Sequence, residues 1–139
     1  MGLNSLSNLY PNVQKTDFPF AQDAVGDQFL LRQDSVNRLN AETGDVNSLG
    51  MTWQVFLNAA TINPVQFLSL RPLIRFTSEG GRLDPGQLLS VYPPFCTAES
   101  SSGVSLKPIQ ALERIRFLAD FAKQIRGLPE RTRIRLRMD

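Results

Sequence analysis

Residues 27–39, which read DQFLLRQDSVNRL, contain the clearest structural signal in the chain. Two short runs of mixed apolar and polar residues, Asp27–Arg32 and Ser35–Leu39, are separated only by Gln33 and Asp34. This spacing is typical of two antiparallel strands joined by a tight turn, with Asp34 as the turn former. The segment therefore predicts a β-hairpin.

The hairpin is followed by a second turn and a further strand. Residues 41–45 read AETGD, and Gly44 can adopt the positive φ that a tight turn requires. A third short strand over about 45–48 would complete an antiparallel meander. Residues 1–26, rich in Asn, Ser, Gln and Asp, predict an irregular or short-strand lead-in.

Beyond the meander the apolar residues recur every three or four positions, which predicts helices. Thr52 can cap a helix that runs from Trp53 to about Thr61, and Asn63 can cap a second one. The longest helix is predicted to begin at Pro108 or the residue before it and to end at Gly127.

The second half of the chain adds two predicted strands. Residues 87–92 predict a buried strand, the Ser-rich residues 97–105 predict a loop, and residues 130–138 alternate strictly in polarity. Together these elements predict an α+β fold in one domain spanning 1–139. In it an antiparallel β-sheet, made of the meander and the C-terminal strand, packs against about three helices.

Composition excludes many kinds of enzyme. The 139 residues include no histidine and a single cysteine, Cys96, so no Ser-His-Asp triad, His-ligated metal site or intramolecular disulfide can form. The glycines match no phosphate-binding motif. Carboxylates alone can run acid/base chemistry, but no pair is held at a defined spacing on one element. We therefore expect that the protein is not an enzyme and that it has no catalytic residue, metal site or cofactor site.

The first ten residues lack the positive and apolar regions of a signal peptide. No stretch approaches the roughly 20 apolar residues of a membrane helix. We therefore expect a cytoplasmic protein that has no membrane partner.

Charge is unevenly distributed along the chain. Residues 107–139 contain nine basic and four acidic residues, whereas residues 1–106 contain six basic and nine acidic residues. Four arginines fall on one face of the predicted C-terminal strand. That face is interpreted as a solvated strand edge, as a patch for an acidic protein, or as a nucleic-acid surface. The nucleic-acid interpretation is disfavoured because no aromatic residue accompanies the arginines on this strand. The four arginines, which are candidates for partner contact, are Arg131, Arg133, Arg135 and Arg137.

Six acidic residues lie in the first 45 positions of the chain. The spacing of Asp23, Asp27 and Asp34 matches no calcium-binding loop, and turn formation accounts for these three. The six are Asp17, Asp23, Asp27, Asp34, Glu42 and Asp45.

Four pieces of the chain occur in the order found in a known family. They are FAQDAVGDQF at 20–29, VNRL at 36–39, ETGD at 42–45 and WQVFL at 53–57. Over roughly residues 18–100 this order resembles the SUKH superfamily, which includes the yeast cell-wall-assembly regulator and many bacterial immunity proteins. The resemblance implies a non-catalytic protein-binding module, of the kind that binds and neutralises a toxin, often a nuclease with a basic cleft. It implies further that the six acidic residues form a negative surface for that cleft; the alternative is that they are solvated turn residues.

Family members usually carry further helices and strands before this region, whereas only 17 residues precede Phe18 here. The resemblance therefore implies either a short variant of the family or the absence of part of the N-terminal half of the fold. In the second case we expect an exposed sheet edge or apolar patch, and with it a homodimer. Two alternatives stay open. One is a general interaction, scaffold or regulatory protein that uses the arginine-rich strand, and the other is a weak nucleic-acid binder.

Overall fold

The computed structural model describes residues 3–127, so the predicted strand at 130–138, with its four arginines, lies outside the described residues. The strands of the described range are β1 (Phe18–Gln22), β2 (Gln28–Arg32), β3 (Ser35–Leu39), β4 (Val46–Thr52), β5 (Gln87–Tyr92) and β6 (Ser105–Gln110). Its helices are α1 (Leu3–Leu9), α2 (Trp53–Ile62), α3 (Pro64–Phe67), α4 (Arg71–Ser78) and α5 (Ala111–Arg126), with a 3₁₀ turn at Ala98–Ser102.

The strands form two antiparallel sheets. One is a four-stranded meander in the order β1-β2-β3-β4, and the other is the two-stranded ribbon β5-β6. The predicted α+β class is confirmed. The meander was predicted with three strands, and β1 adds a fourth along the outer edge of β2.

The predicted hairpin is present with the predicted turn. Gln28 lies opposite Leu39, and Arg32 lies opposite Ser35, so only two residues connect the strands. Gln33, rather than Asp34, takes the positive φ of 56° at this turn. Gly44 has a φ of 82°, which confirms the reason given for a glycine in the following turn.

The core lies on both faces of the meander. On one face, α1 and α5 pack against Leu30 and Leu39 of the central strands. On the other face, Phe56 of α2 packs against Phe29 and Val36. A smaller cluster around Leu89 lies between the β5-β6 ribbon and the loop that precedes β2. The two faces explain why the central strands carry apolar residues at consecutive positions.

The predicted helix caps are confirmed. The Thr52 side chain accepts a hydrogen bond from the amide of Val55, and Asn63 accepts one from the amide of Gln66. Residues 73–76 are also helical, because Pro72 falls in the first turn of α4, where its missing N–H costs nothing.

Two elements differ from the predictions. Pro108 does not begin the long helix. It lies in β6 opposite Leu89, and α5 begins at Ala111. The N-terminal lead-in contains α1, which is followed by the buried Tyr10. Both differences arise from packing against distant parts of the chain, which local sequence does not report. Within the described range, no helix combines the length and apolar character needed to cross a bilayer.

Candidate functional site

Asp23 organises the loop between β1 and β2. Its Oδ1 accepts hydrogen bonds from the amides of Val25, Gly26 and Asp27, at 2.9–3.0 Å. The residue is 4% exposed, so its carboxylate is occupied inside the protein. The structure therefore gives Asp23 a structural role in shaping this loop.

Arg38, which lies in β3, forms ion pairs with both Asp23 and Asp27. Its Nη2 lies 2.8 Å from an oxygen of Asp23 and 2.9 Å from an oxygen of Asp27. Its guanidinium also lies 5.3 Å from the ring centroid of Phe29 and donates to the hydroxyl of Ser69. Burial and the neighbouring Asp27 carboxylate raise the pKa of Asp23 to about 6, although Arg38 and the loop amides favour the ionised form.

Glu42 connects the meander to the loop that follows β5. Its Oε2 accepts a hydrogen bond from the amide of Phe95, and its Oε1 accepts one from the amide of Cys96, each at 2.8 Å. These partners are more than 50 residues away in sequence. Because Glu42 is only 6% exposed, the two bonds fix the loop against the protein with little competition from water.

The loop held by Glu42 displays two aromatic side chains. We call residues 92–96, which are the last residue of β5 and the four residues that follow it, the aromatic loop. Tyr92 is 75% exposed and Phe95 is 44% exposed. Two further bonds brace the loop: the Thr97 hydroxyl donates to the carbonyl of Pro94, and the Ser100 hydroxyl donates to the carbonyl of Phe95. Fixed backbone and exposed aromatic surface thus occur together.

A depression of about 390 Å³ lies beside the aromatic loop. We call it the Glu42 pocket. One wall comes from the turn between β3 and β4, and the other wall comes from the aromatic loop and the residue after it. Its lining residues are Asn40, Glu42, Thr43, Phe95, Cys96 and Thr97.

The remaining acidic candidates are dispersed. Asp17 is buried and pairs with Arg32, with oxygen–nitrogen distances of 2.8 Å. Asp45 is exposed beside the Glu42 pocket and accepts a hydrogen bond from the Thr43 hydroxyl. Asp34 is exposed in the β2–β3 turn, at the opposite end of β3 from Glu42. The acidic residues therefore do not form one continuous surface, and their contact with a partner stays a prediction.

Sequence reasoning missed the central features of this site. Neither Arg38 nor Arg114 was predicted to have a role, although Arg114 is 2% exposed. Its guanidinium interacts electrostatically with Glu42, Asp27 and Asp23, which lie far from it in sequence, so only the tertiary structure shows this role. Within residues 3–127, no three or more Cys, Asp or Glu side chains lie where they could together hold a metal ion.

Comparison of the chain with protein-family models, with curated proteins and with solved structures gives no match. The resemblance to the SUKH superfamily thus stays a prediction that rests on the quoted segments.

Proposed function

We propose that the chain is a non-catalytic protein-binding module of the immunity type, which neutralises a toxin by covering its active surface. The observation that carries the proposal is the aromatic loop, which Glu42 fixes while Tyr92 and Phe95 remain exposed.

Exposed aromatic residues on a fixed backbone are well suited to binding another protein. Tyr and Phe bring a large contact area, and Tyr is among the residues that most often dominate binding energy. A loop that is already ordered loses little conformational entropy when a partner binds. Tyr92 and Phe95 are therefore the side chains that we expect to contribute most to the interface.

The charge of the neighbouring residues supports a basic partner. Asp45 lies beside the Glu42 pocket, and Glu99 follows the aromatic loop by three residues; both are exposed. Acidic groups around an aromatic centre complement a cationic surface, such as the cleft of a nuclease, and accelerate its association. Together with the SUKH resemblance, this arrangement favours a toxin as the partner.

The test is affinity capture from a lysate of the native cells with three forms of the full chain. They are the wild type, the double variant Tyr92→Ala/Phe95→Ala and the control Phe18→Ala. Phe18 is 52% exposed but lies opposite Leu31, near the β2–β3 turn and away from Glu42. We expect the wild type and the control to retain one protein that halts growth when it is produced alone, and the double variant to lose it. Equal retention by all three forms would contradict the proposal, as would a captured protein that does not affect growth.

A further inference from the structure

We infer that the Glu42 pocket binds a cationic side chain, arginine or lysine, of the protein partner. The inference rests on the proposed function and specifies the chemistry that the site recognises. Three features of the pocket carry it: a carboxylate with unused acceptor capacity, an aromatic wall and the absence of a basic group among the lining residues.

The Glu42 carboxylate can accept more hydrogen bonds than the loop supplies. Each oxygen accepts one amide N–H in the described structure, whereas an ionised carboxylate has about four acceptor positions. Among the described residues no ion pair of Glu42 within 4 Å occurs, although its charge interacts with the Arg114 guanidinium. Glu42 is 6% exposed but lines the pocket, so the pocket wall carries a negative charge that a cation from outside can approach.

Phe95 supplies a second feature that favours a cation. Its side chain lines the same pocket as Glu42 and is 44% exposed. The face of an aromatic ring attracts ammonium and guanidinium groups, and the planar guanidinium also stacks on it. A cationic side chain that enters between Phe95 and Glu42 therefore meets an aromatic surface and a counter-charge together.

The surrounding residues reinforce this charge selectivity. The lining residues other than Glu42 are uncharged, and the exposed Asp45 lies next to the turn that forms one wall. An anionic side chain would meet repulsion from both acids. A neutral side chain would leave the carboxylate without a cation. Charge complementarity thus selects arginine or lysine over the other long side chains.

The inference is tested without the partner, by titration of the ¹⁵N-labelled full chain with N-acetyl-arginine amide. The matched probe is N-acetyl-citrulline amide, which has a similar shape but no charge. With the arginine probe we expect saturable chemical-shift changes at the amides of Thr43, Phe95 and Cys96. The apparent affinity obtained from the same amides should be at least tenfold lower for the citrulline probe. Equal response to both probes, or no saturable change at these amides, would overturn the inference.

Two variants connect the response to the pocket. Glu42→Gln keeps the shape of the side chain and removes its charge, so the preference for arginine over citrulline should disappear. Because this change also alters the bonds to the aromatic loop, Phe95→Leu provides a second variant, which should weaken the arginine probe about threefold. An unchanged arginine preference in folded Glu42→Gln, or unchanged affinity in Phe95→Leu, would contradict the assignment. If the wild-type chain shows this preference but captures no protein that halts growth, only the proposed function is overturned.

Discussion

Arg114 donates a hydrogen bond through Nε to the carbonyl oxygen of Val25, at 3.0 Å and across 89 residues of sequence. The guanidinium also interacts electrostatically with Glu42, Asp27 and Asp23. Burial lowers the pKa of Arg114, while these three carboxylates oppose that change. Arg114 therefore connects α5 to the loop that Asp23 organises and compensates part of the negative charge of these carboxylates, two of which also pair with Arg38.

Replacement of Arg114 should destabilise the protein strongly. Arg114→Met removes a positive charge that acts on Glu42, Asp27 and Asp23 and leaves the buried Val25 carbonyl without its Nε–H donor, so we expect the free energy of unfolding to fall by about 3–5 kcal/mol. Arg116→Met, on an exposed position of the same helix, should change it by less than about 0.5 kcal/mol. Urea denaturation measures both. A loss of stability in Arg114→Met no larger than in Arg116→Met would refute this role.

Gly26 should tolerate alanine less well than another glycine with a similar backbone. Its φ is 105°, and a Cβ at this position would lie 2.8 Å from Cδ1 of the buried Leu118. Gly86 has a φ of 83° but nothing within 4 Å of its Cβ position. We expect Gly86→Ala to cost about 1–2 kcal/mol from backbone strain alone, and Gly26→Ala about 1–3 kcal/mol more from overpacking. Thermal or urea unfolding that gives equal costs would contradict the contact with Leu118.

The ion pair of Asp17 with Arg32 should make stability depend on pH at the acidic end. Burial disfavours the ionised form of Asp17, but the hydrogen bonds from Arg32 and from the amide of Gln14 outweigh it and lower the pKa of Asp17. The unfolded chain therefore binds a proton more readily than the folded chain. The stability from Asp17 is present above its unfolded pKa of about 3.9 and is lost as pH falls through the folded pKa.

The measurement is the free energy of unfolding of the wild type and of Asp17→Asn from neutral to acidic pH. At pH 7 we expect the variant to be less stable by about 1.5–3 kcal/mol, and the difference to shrink as pH falls below about 4. Asp34→Asn, which removes an exposed carboxylate, controls for the change in net charge. A difference that stays constant across this range would show that Arg32 does not stabilise the ionised carboxylate.

Replacing a buried aromatic residue by alanine should reduce stability far more than replacing an exposed one. Phe56 is 2% exposed, and its ring centroid lies 5.4 Å from that of Phe29. Phe56→Ala should therefore cost about 3–5 kcal/mol. Tyr92→Ala, at a position that is 75% exposed, should change stability by less than about 0.5 kcal/mol. A large loss of stability in Tyr92→Ala would mean that Tyr92 is needed for folding, and its loss of binding could then not be assigned to an interface.

Much of the fold could be predicted because its signals are local. The two-residue spacing within 27–39 sets a hairpin, Gly44 marks a turn, and Thr52 and Asn63 cap the helices that they precede. Each of these features depends on residues within a few positions of one another. Hydrophobic periodicity and turn-forming residues predict such local features well.

The elements that were missed depend on pairing at long range. β6 contains Pro108 and was predicted as a loop and the start of a helix, but it is held by antiparallel pairing with β5 from Gln87 to Tyr92. The helix α1 begins in a polar segment, and its Leu6 is buried in the cluster that contains Leu118 of α5. Weak local propensity was overridden by tertiary contacts in both cases.

The candidate site was the least predictable part for the same reason. Glu42 was interpreted either as a solvated turn residue or as part of a negative surface for a basic partner, and neither interpretation included the hydrogen bonds that its carboxylate accepts from the amides of Phe95 and Cys96. A carboxylate in a turn has the same sequence appearance whether it is solvated or buried. Only the approach of the aromatic loop gives Glu42 its role.

The most direct test of the central claim, that the aromatic loop binds and neutralises a toxin, is the growth of cells that produce the captured partner. These cells would also produce the wild-type chain, Tyr92→Ala/Phe95→Ala or Phe18→Ala, at matched levels. We expect the wild type and Phe18→Ala to restore growth and the double variant not to restore it. Equal growth with and without the wild-type chain, or full rescue by the double variant, would contradict it.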